Sequence, residues 1–204
     1  MRRRFPAILG VLAVLAAGGC GSRGPHIARL PSDAVILAFG DSLTAGTGAE
    51  PRESYPAVLA ESTGYKVVNA GVPGETSAEG LARLPSALEQ NKPQLVVLCH
   101  GGNDLLQRLD ERQIAANLEA MIELARASGA NVILVAVPRP RLLLKPAPFY
   151  REVAAQCRVP CDEETLPDVL GHPGMKSHQI HPNAQGYRKL AKALAELIRR
   201  SQSS

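Results

Sequence analysis

Three segments of this sequence carry side chains that suit the transfer of an acyl group. Ser42 follows one apolar run, Asn103 follows another, and His181 stands far downstream. A serine hydroxyl supplies a nucleophile, and an imidazole supplies a general base for it. A neutral side-chain amide donates a hydrogen bond to the oxyanion that forms when a carbonyl carbon is attacked. Together these residues predict a nucleophilic attack on an ester-like carbonyl.

Backbone N–H groups are expected to complete the oxyanion hole. The predicted donors are the N–H of Ser42, the N–H of Gly71 and the side-chain amide of Asn103. Each residue also has a purely structural interpretation, because glycines permit tight turns and Ser or Asn often cap helices. Their occurrence in one order after successive apolar runs favours the catalytic interpretation.

The elements that must position these residues are predicted by hydrophobic patterning. Short aliphatic or β-branched runs alternate with helical patterns, which predicts an α/β fold with a parallel sheet covered on both faces. The predicted strands are 34–39, 66–70, 95–99 and 131–137, and the predicted helices are 55–62, 77–89, 111–128 and a last one after His181. Pro85 predicts a kink or break in the second helix. Ligands bind at the carboxyl ends of such strands, so the three segments should meet at one edge.

Four blocks of the sequence resemble those of the GDSL, or SGNH, hydrolases. They are Gly40-Asp41-Ser42-Leu43, Gly71, Gly101-Gly102-Asn103-Asp104 and the His181 segment. The likeness is greatest to the bacterial arylesterase, thioesterase and lysophospholipase branch. It implies a three-layer α/β/α flavodoxin-like fold, Ser42 as nucleophile, His181 as base, and neither metal nor other cofactor. The implied substrates are aryl esters, acyl thioesters or lysophospholipids. Carbohydrate or peptidoglycan O-deacetylation is the alternative within the same superfamily.

One position departs from the family pattern. The family places an aspartate three residues before its catalytic histidine, and this sequence has His178 there. Loss of a triad acid costs about 10⁴-fold in model serine hydrolases. A backbone carbonyl or Asp168 is one substitute for the missing carboxylate, and a neutral His178 that accepts the Nδ1–H bond is another. The remaining alternatives are a slow enzyme and a catalytically weakened lipoprotein that binds acyl chains or glycans.

The same histidines support a different hypothesis. His172, His178 and His181, with Asp168, are residue types that bind zinc. The two later histidines precede a helix and do not occupy positions i and i+4 on one. The sequence therefore favours the hydrolase over a metal site.

The N-terminus is typical of an exported protein. Arg2, Arg3 and Arg4 precede an apolar run that ends at Cys20, the layout of a secretory signal. Small residues before Cys20 resemble the lipoprotein box, which predicts a signal peptide over 1–19, a lipidated Cys20, a tether over 20–32 and a hydrolase domain over 33–204. An ordinary signal peptide is the alternative. The prediction places the domain on the periplasmic side of a bacterial membrane, with the outer membrane favoured.

Export to an oxidising compartment bears on the cysteines. Cys157 and Cys161 are close enough in sequence to close a small disulfide loop or to remain free thiols. Cys99 lies within an apolar run and is expected to be a buried thiol.

Composition excludes several classes of protein. The chain has 204 residues, of which 45% are hydrophobic and 21% charged, too apolar for a disordered protein. Removing residues 1–19 takes away three arginines and lowers the net charge from +4 to +1. With 3% aromatic residues there is little surface for stacking bases, so no nucleic-acid partner is expected. We expect a monomer.

The segment 139–146 is the predicted mouth of the site. It combines aliphatic residues at 142–144 with Arg141 and Lys145. An acyl chain along the leucines with an anionic head group near a cation is one interpretation. A surface loop whose leucines pack on the sheet is the other.

Overall fold

A computed structural model describes residues 24–139 and 144–202. Five strands alternate with eight α-helices and two short 3-10 turns along these residues. The strands are β1 (Val35–Gly40), β2 (Lys66–Gly71), β3 (Leu95–Cys99), β4 (Asn131–Val135) and β5 (Cys161–Asp162). The helices are α1 (Ser42–Ala45), α2 (Tyr55–Thr63), α3 (Ser77–Asn91), α4 (Gly102–Gln107), α5 (Glu111–Ala127), α6 (Pro148–Cys157), α7 (Thr165–Gly171) and α8 (Ala184–Ser201). The 3-10 turns are Pro51–Glu53 and Pro173–Met175.

The strands form one parallel sheet in the order β2-β1-β3-β4-β5. Gly40, the last residue of β1, lies opposite Gly71 on one side and Cys99 on the other. The loops that follow β1, β2 and β3 therefore leave the sheet side by side. This register brings the loops that carry Ser42 and Asn103 to one edge, as predicted.

Helices cover the sheet in two groups. Helix α8 packs on both α2 and α7, and helix α5 packs on both α3 and α6. The strands β1 and β3 are almost wholly buried between them, as their aliphatic sequences require. This confirms the predicted three-layer α/β architecture. No helix within the described residues is long and apolar enough to cross a membrane.

The C-terminal part of the predicted tether packs against the domain. Cys20 and the rest of residues 1–23 lie outside the described residues. Ile27 and Leu30, however, are only 3% and 6% exposed. The N–H of Ile27 donates to the carbonyl of Ser201 at 2.8 Å, and the N–H of Leu30 donates to Gln202 Oε1 at 2.9 Å. Ile27 and Leu30 of the segment predicted as a tether therefore pack near the end of α8.

Other departures from the predicted elements have local causes. Helix α3 continues through Pro85 to Asn91, because its buried face, with Leu84 and Leu88, holds it against the core. Strand β4 ends at Val135, two residues early. Strand β5 has only two residues, too few to leave a pattern in the sequence.

Candidate active site

Ser42 is positioned by the cap of the short helix α1. The side chain of Asp41 accepts a hydrogen bond from the N–H of Leu43 at 2.9 Å, which makes Ser42 the first residue of the helix. Asp41 is buried at the end of β1, and burial raises the pKa of its carboxyl to about 6. The N–H of Ser42 makes no hydrogen bond within the described residues. The buried end of β1 and the Asp41 cap thus hold Ser42 with both its hydroxyl and its backbone N–H available to a substrate.

His181 reaches this serine from a separate part of the chain. Its Nε2 lies 3.0 Å from Ser42 Oγ, a distance that permits proton transfer. The loop that carries it is closed by backbone bonds: Ser177 N–H donates to the carbonyl of His181 at 3.1 Å, and Asn183 N–H donates to that of Met175 at 3.0 Å. Asn183 also caps α8. Burial lowers the pKa of His181, and the nearby His178 lowers it further.

His178 lies beside His181 but does not take over the role of an orienting aspartate. The side chain of His178 is exposed, and its backbone N–H is its link to His181, donating to that residue's carbonyl at 3.4 Å. Asp168, the other predicted substitute, pairs with Lys189. No side chain or carbonyl within residues 24–139 and 144–202 hydrogen-bonds to His181 Nδ1. The described residues therefore form a serine–histidine pair without an orienting carboxylate.

The loop after β2 orients the side-chain amide of Asn103 at the same edge of the sheet as Ser42. Its Nδ2 donates to the backbone carbonyl of Glu75 at 2.9 Å and makes a long contact of 3.4 Å with Asp41 Oδ2. One amide hydrogen is thus held by a short bond. The other makes only the long contact with Asp41, so it is the hydrogen available to a ligand oxygen beside Ser42.

Gly71 does not have the predicted geometry. Its N–H donates to Asn69 Oδ1 at 3.0 Å, so it is already engaged. A Cβ at Gly71 would collide with the backbone of Thr44 and Ala45. The glycine is needed for the close approach of β2 to α1, and its engaged N–H does not support the predicted oxyanion donor at this position.

Sequence reasoning missed Gly74, three residues further on. Gly74 is exposed, has a φ of +84°, and is followed by Glu75, whose carbonyl holds Asn103. Its N–H makes no hydrogen bond within the described residues. The signal available in the sequence was a second glycine in the same loop, after Pro73, typical of a turn with positive φ.

A buried polar cluster beneath this loop was also missed. Glu75 accepts two bonds of 2.6 Å from Arg83 and one of 3.0 Å from His100 Nε2. Although burial opposes ionisation, these bonds lower the pKa of Glu75 to about 2. The guanidinium of Arg83 also lies 4.2 Å above the ring of Phe39. Glu75 is therefore held as a carboxylate between two donors.

An open cleft of about 590 Å³ surrounds Ser42, Asn103 and His181. Its apolar lining consists of Leu43, Leu106, Val137, Pro138, Leu144, Leu170 and Ile180. Lys176 and Gln179 contribute polar groups at the same cleft. Arg141 and residues 142–143 lie outside the described residues. Leu144 lines the cleft as predicted, whereas Lys145 is exposed outside that lining.

The structure does not assemble the alternative metal site. His172 Nδ1 contacts the carbonyl of Asp168, His181 Nε2 contacts Ser42, and the ring of His178 lies 6.0 Å from that of His181, centroid to centroid. Across 24–139 and 144–202, no three side chains of metal-ligating type are arranged to hold an ion. The described part of the chain thus offers a nucleophile, a base and neutral donors, but no set of metal ligands.

The predicted disulfide is not formed. Cys157 ends α6, Cys161 begins β5, and both are free thiols, as is the buried Cys99. Burial raises the pKa of both Cys157 and Cys161. Of the two alternatives that the sequence left open, the structure shows the free thiols.

Comparison with known proteins identifies the family of this chain. The model of the GDSL-like Lipase/Acylhydrolase family matches residues 38–189. Esterase TesA of Pseudomonas aeruginosa is 39% identical over 158 residues, covering 72% of this chain and 79% of that protein. Thioesterase 1/protease 1/lysophospholipase L1 of Escherichia coli is 31% identical over 171 residues, covering 80% of this chain and 82% of that protein.

A solved structure shares the fold. The crystal structure of TesA superimposes with a TM-score of 0.72 at 33% identity, covering 80% of this chain and 97% of the solved one. The family match spans well over half of the sequence. This protein therefore belongs to the GDSL-like lipase/acylhydrolase family and is an ester hydrolase.

Proposed function

We propose that Ser42 is the nucleophile and His181 the general base of this esterase. The 3.0 Å contact between Ser42 Oγ and His181 Nε2 carries the proposal. Ser42 Oγ bonds to the ester carbonyl carbon while its proton passes to His181 Nε2. The tetrahedral intermediate expels an alcohol or thiol, which takes that proton. Water then attacks the acyl-Ser42 carbonyl, its proton passing through His181 back to Ser42 Oγ as the acid leaves.

Three neutral donors are proposed to stabilise the oxyanion. They are the N–H of Ser42, the side-chain amide of Asn103 and the N–H of Gly74, which takes the place first assigned to Gly71. The open N–H groups of Ser42 and Gly74 support this set. So does the bond from Asn103 to the Glu75 carbonyl, which ties the Gly74 loop to the amide. Each such donor contributes a factor of about 10²–10³ to kcat.

The histidine is proposed to act without a carboxylate. The backbone bonds that close the loop of Ser177 and Asn183 support this, since they fix the position of His181 independently of its Nδ1. They do not offset the positive charge that develops on the imidazole. We therefore expect hydrolysis to be slower than in an enzyme with a complete triad.

The cleft supports substrates with an aliphatic acyl chain. Among the described residues that line it, seven are leucine, valine, proline or isoleucine, and Lys176 is cationic. Burying each methylene of a chain is worth about 0.8 kcal/mol. We propose carboxylic esters or thioesters with chains longer than acetyl, and a leaving group that can carry negative charge toward Lys176.

Export and lipidation at Cys20 are proposed from the sequence. The arginine cluster, the apolar run and the small residues before Cys20 support both. Replacing Cys20 with Ser should move the protein from the membrane fraction to the soluble periplasm. Unchanged fractionation would contradict lipidation.

A panel of p-nitrophenyl esters from acetyl to dodecanoyl tests the substrate assignment. We expect kcat/KM to rise with chain length beyond acetyl, and Leu106→Ser to weaken that rise. Leu124→Ser, at an exposed leucine of α5 that does not line the cleft, is the matched control. A clear preference for acetyl would contradict the proposal and favour O-deacetylation.

A further inference from the structure

The buried imidazole of His100 has no role in the proton transfers described above. The residue follows β3, and its side chain is fully buried. Its Nε2 bonds to Glu75 Oε2 at 3.0 Å. Its Nδ1 is buried and has no hydrogen-bond partner within the described residues. A polar ring left half-satisfied in the core is costly, and such groups call for an explanation.

The ring is held in one orientation from several sides. Gly80 of α3 lies against it so closely that a Cβ there would collide with the imidazole. The ring of Phe39 is 5.5 Å away, centroid to centroid. The hydroxyl of Tyr150 donates to the backbone carbonyl of His100 at 2.7 Å. Position and rotation of the imidazole are thus both fixed by the core.

Glu75 links this ring to the candidate oxyanion donor. The Glu75 side chain binds His100, while the carbonyl of the same residue accepts the 2.9 Å bond from Asn103 Nδ2. Arg83 binds the same carboxylate and also donates to the carbonyl of Ala70 at 3.0 Å. Arg83 therefore ties Glu75 to β2, and His100 ties it to the end of β3, three residues before Asn103.

We propose that His100 is a positioning residue for the reaction: through Glu75, it sets the carbonyl that aims the Asn103 amide at the oxyanion. The imidazole itself touches no reacting atom. Its bond to Glu75 gives His100 two connections to Asn103. One runs through the side chain and carbonyl of Glu75, and the other runs along the backbone from residue 100 to residue 103. This inference rests on the proposed role of Asn103 as an oxyanion donor.

Two substitutions at His100 separate the bond from the packing. His100→Leu keeps an apolar side chain of similar size but removes the donor to Glu75. His100→Gln retains an N–H donor near the place of Nε2. We expect His100→Leu to lower kcat by between about 10-fold and about 100-fold with KM little changed, the effect of a misplaced catalytic group. His100→Gln should recover most of that loss.

A double-mutant cycle with Asn103→Ala gives a readout that a structural role would not move. If His100 acts through Asn103, His100→Leu should cost little in the Asn103→Ala background. Tyr55→Phe is the control, because it removes a buried 3.1 Å hydrogen bond to Thr44 that does not involve Glu75. It should lower kcat only slightly, and by the same factor in both backgrounds. Should His100→Leu fail to fold, Glu75→Gln takes its place in the cycle, with the same expected non-additivity.

The outcomes are distinguishable. Equal losses of kcat from His100→Leu in both backgrounds, or no loss in the wild-type background, would overturn the positioning role. If Asn103→Ala itself leaves kcat unchanged, the proposed oxyanion role of Asn103 is wrong. An impaired Asn103→Ala beside an unimpaired His100→Leu refutes only the inference about His100.

Discussion

The rings of His178 and His181 stand 6.0 Å apart, centroid to centroid, with their planes inclined by 37°. His178 thus lies close enough to influence the charge on His181 and lowers its pKa, adding to the larger effect of burial. A carboxylate in the same place would have the opposite effect, since it would stabilise the imidazolium. The identity of residue 178 is therefore expected to set both the rate and its pH dependence.

His178→Asp should accelerate ester hydrolysis and shift the acid limb of kcat/KM to higher pH. The new negative charge stabilises protonated His181, so the base is lost at a higher pH than in the wild type. Loss of a triad acid costs about 10⁴-fold elsewhere, so we expect a gain of at least about 10-fold at pH 8. His178→Asn is the control that removes the imidazole without adding charge. An unchanged rate and an unmoved acid limb in His178→Asp would show that another group orients His181.

Asn103→Ala should lower kcat by about 10²–10³, with a small change in KM, because the lost bond strengthens only as the oxyanion forms. The measurement is steady-state hydrolysis of p-nitrophenyl butyrate. Asn91→Ala, which removes a bond to the carbonyl of Ala87 in α3, is the matched control and should leave kcat unchanged. A fall in the Asn103 variant of less than about threefold would be too small for an oxyanion donor.

Alanine at the two glycines after β2 should have different consequences. Gly71→Ala forces a Cβ into the backbone of Ala45 and should lower the melting temperature markedly. Gly74→Ala meets no neighbour within 4 Å, so its only strain is the φ of +84°, about 1 kcal/mol, which the exposed turn relieves by changing φ. We expect the Gly74 variant to fold and to lose activity through a displaced N–H. Melting curves and kcat for both variants check this, and a fully active Gly74→Ala would remove this glycine from the proposed oxyanion hole.

Asp41→Asn should stabilise the fold at alkaline pH but not at acid pH. Burial raises the pKa of Asp41 from 3.8 to about 6. The folded state therefore binds the proton more tightly, and stability is lost as pH rises from about 4 through about 6. The shift corresponds to roughly 3 kcal/mol at pH 8, which a neutral Asn does not lose. Urea unfolding of both proteins at pH 4 and pH 8 measures the difference. An equal difference at the two pH values would contradict the account.

Much of this site could be predicted because it depends on local sequence. Apolar runs mark β1 and β3, and parallel strands bring the residues after them together, so Ser42 and Asn103 were found beside each other. The family resemblance located His181. The sequence alone does not show which of Gly71 and Gly74 has a free N–H. This depends on the Asn69 side chain, which accepts a hydrogen bond from the Gly71 N–H.

Long-range packing accounts for the other differences. Ile27 looked like part of a linker, since its partner near Ser201 lies at the far end of the chain. Helix α3 continues through Pro85 because its buried face packs against the core, a contact that the local sequence pattern does not show. The bond between His100 and Glu75 joins two loops 25 residues apart, and neither residue stands out by spacing.

Covalent trapping of Ser42 tests the central claim most directly. The protein should be incubated with a fluorophosphonate and digested, and the modified residue should be located by mass spectrometry. We expect a single phosphonate on Ser42, no adduct in Ser42→Ala, and strongly slowed labelling in His181→Ala because the base is lost. An intact protein that hydrolyses p-nitrophenyl butyrate while Ser42 stays unlabelled, or a Ser42→Ala variant that retains full activity, would contradict the account.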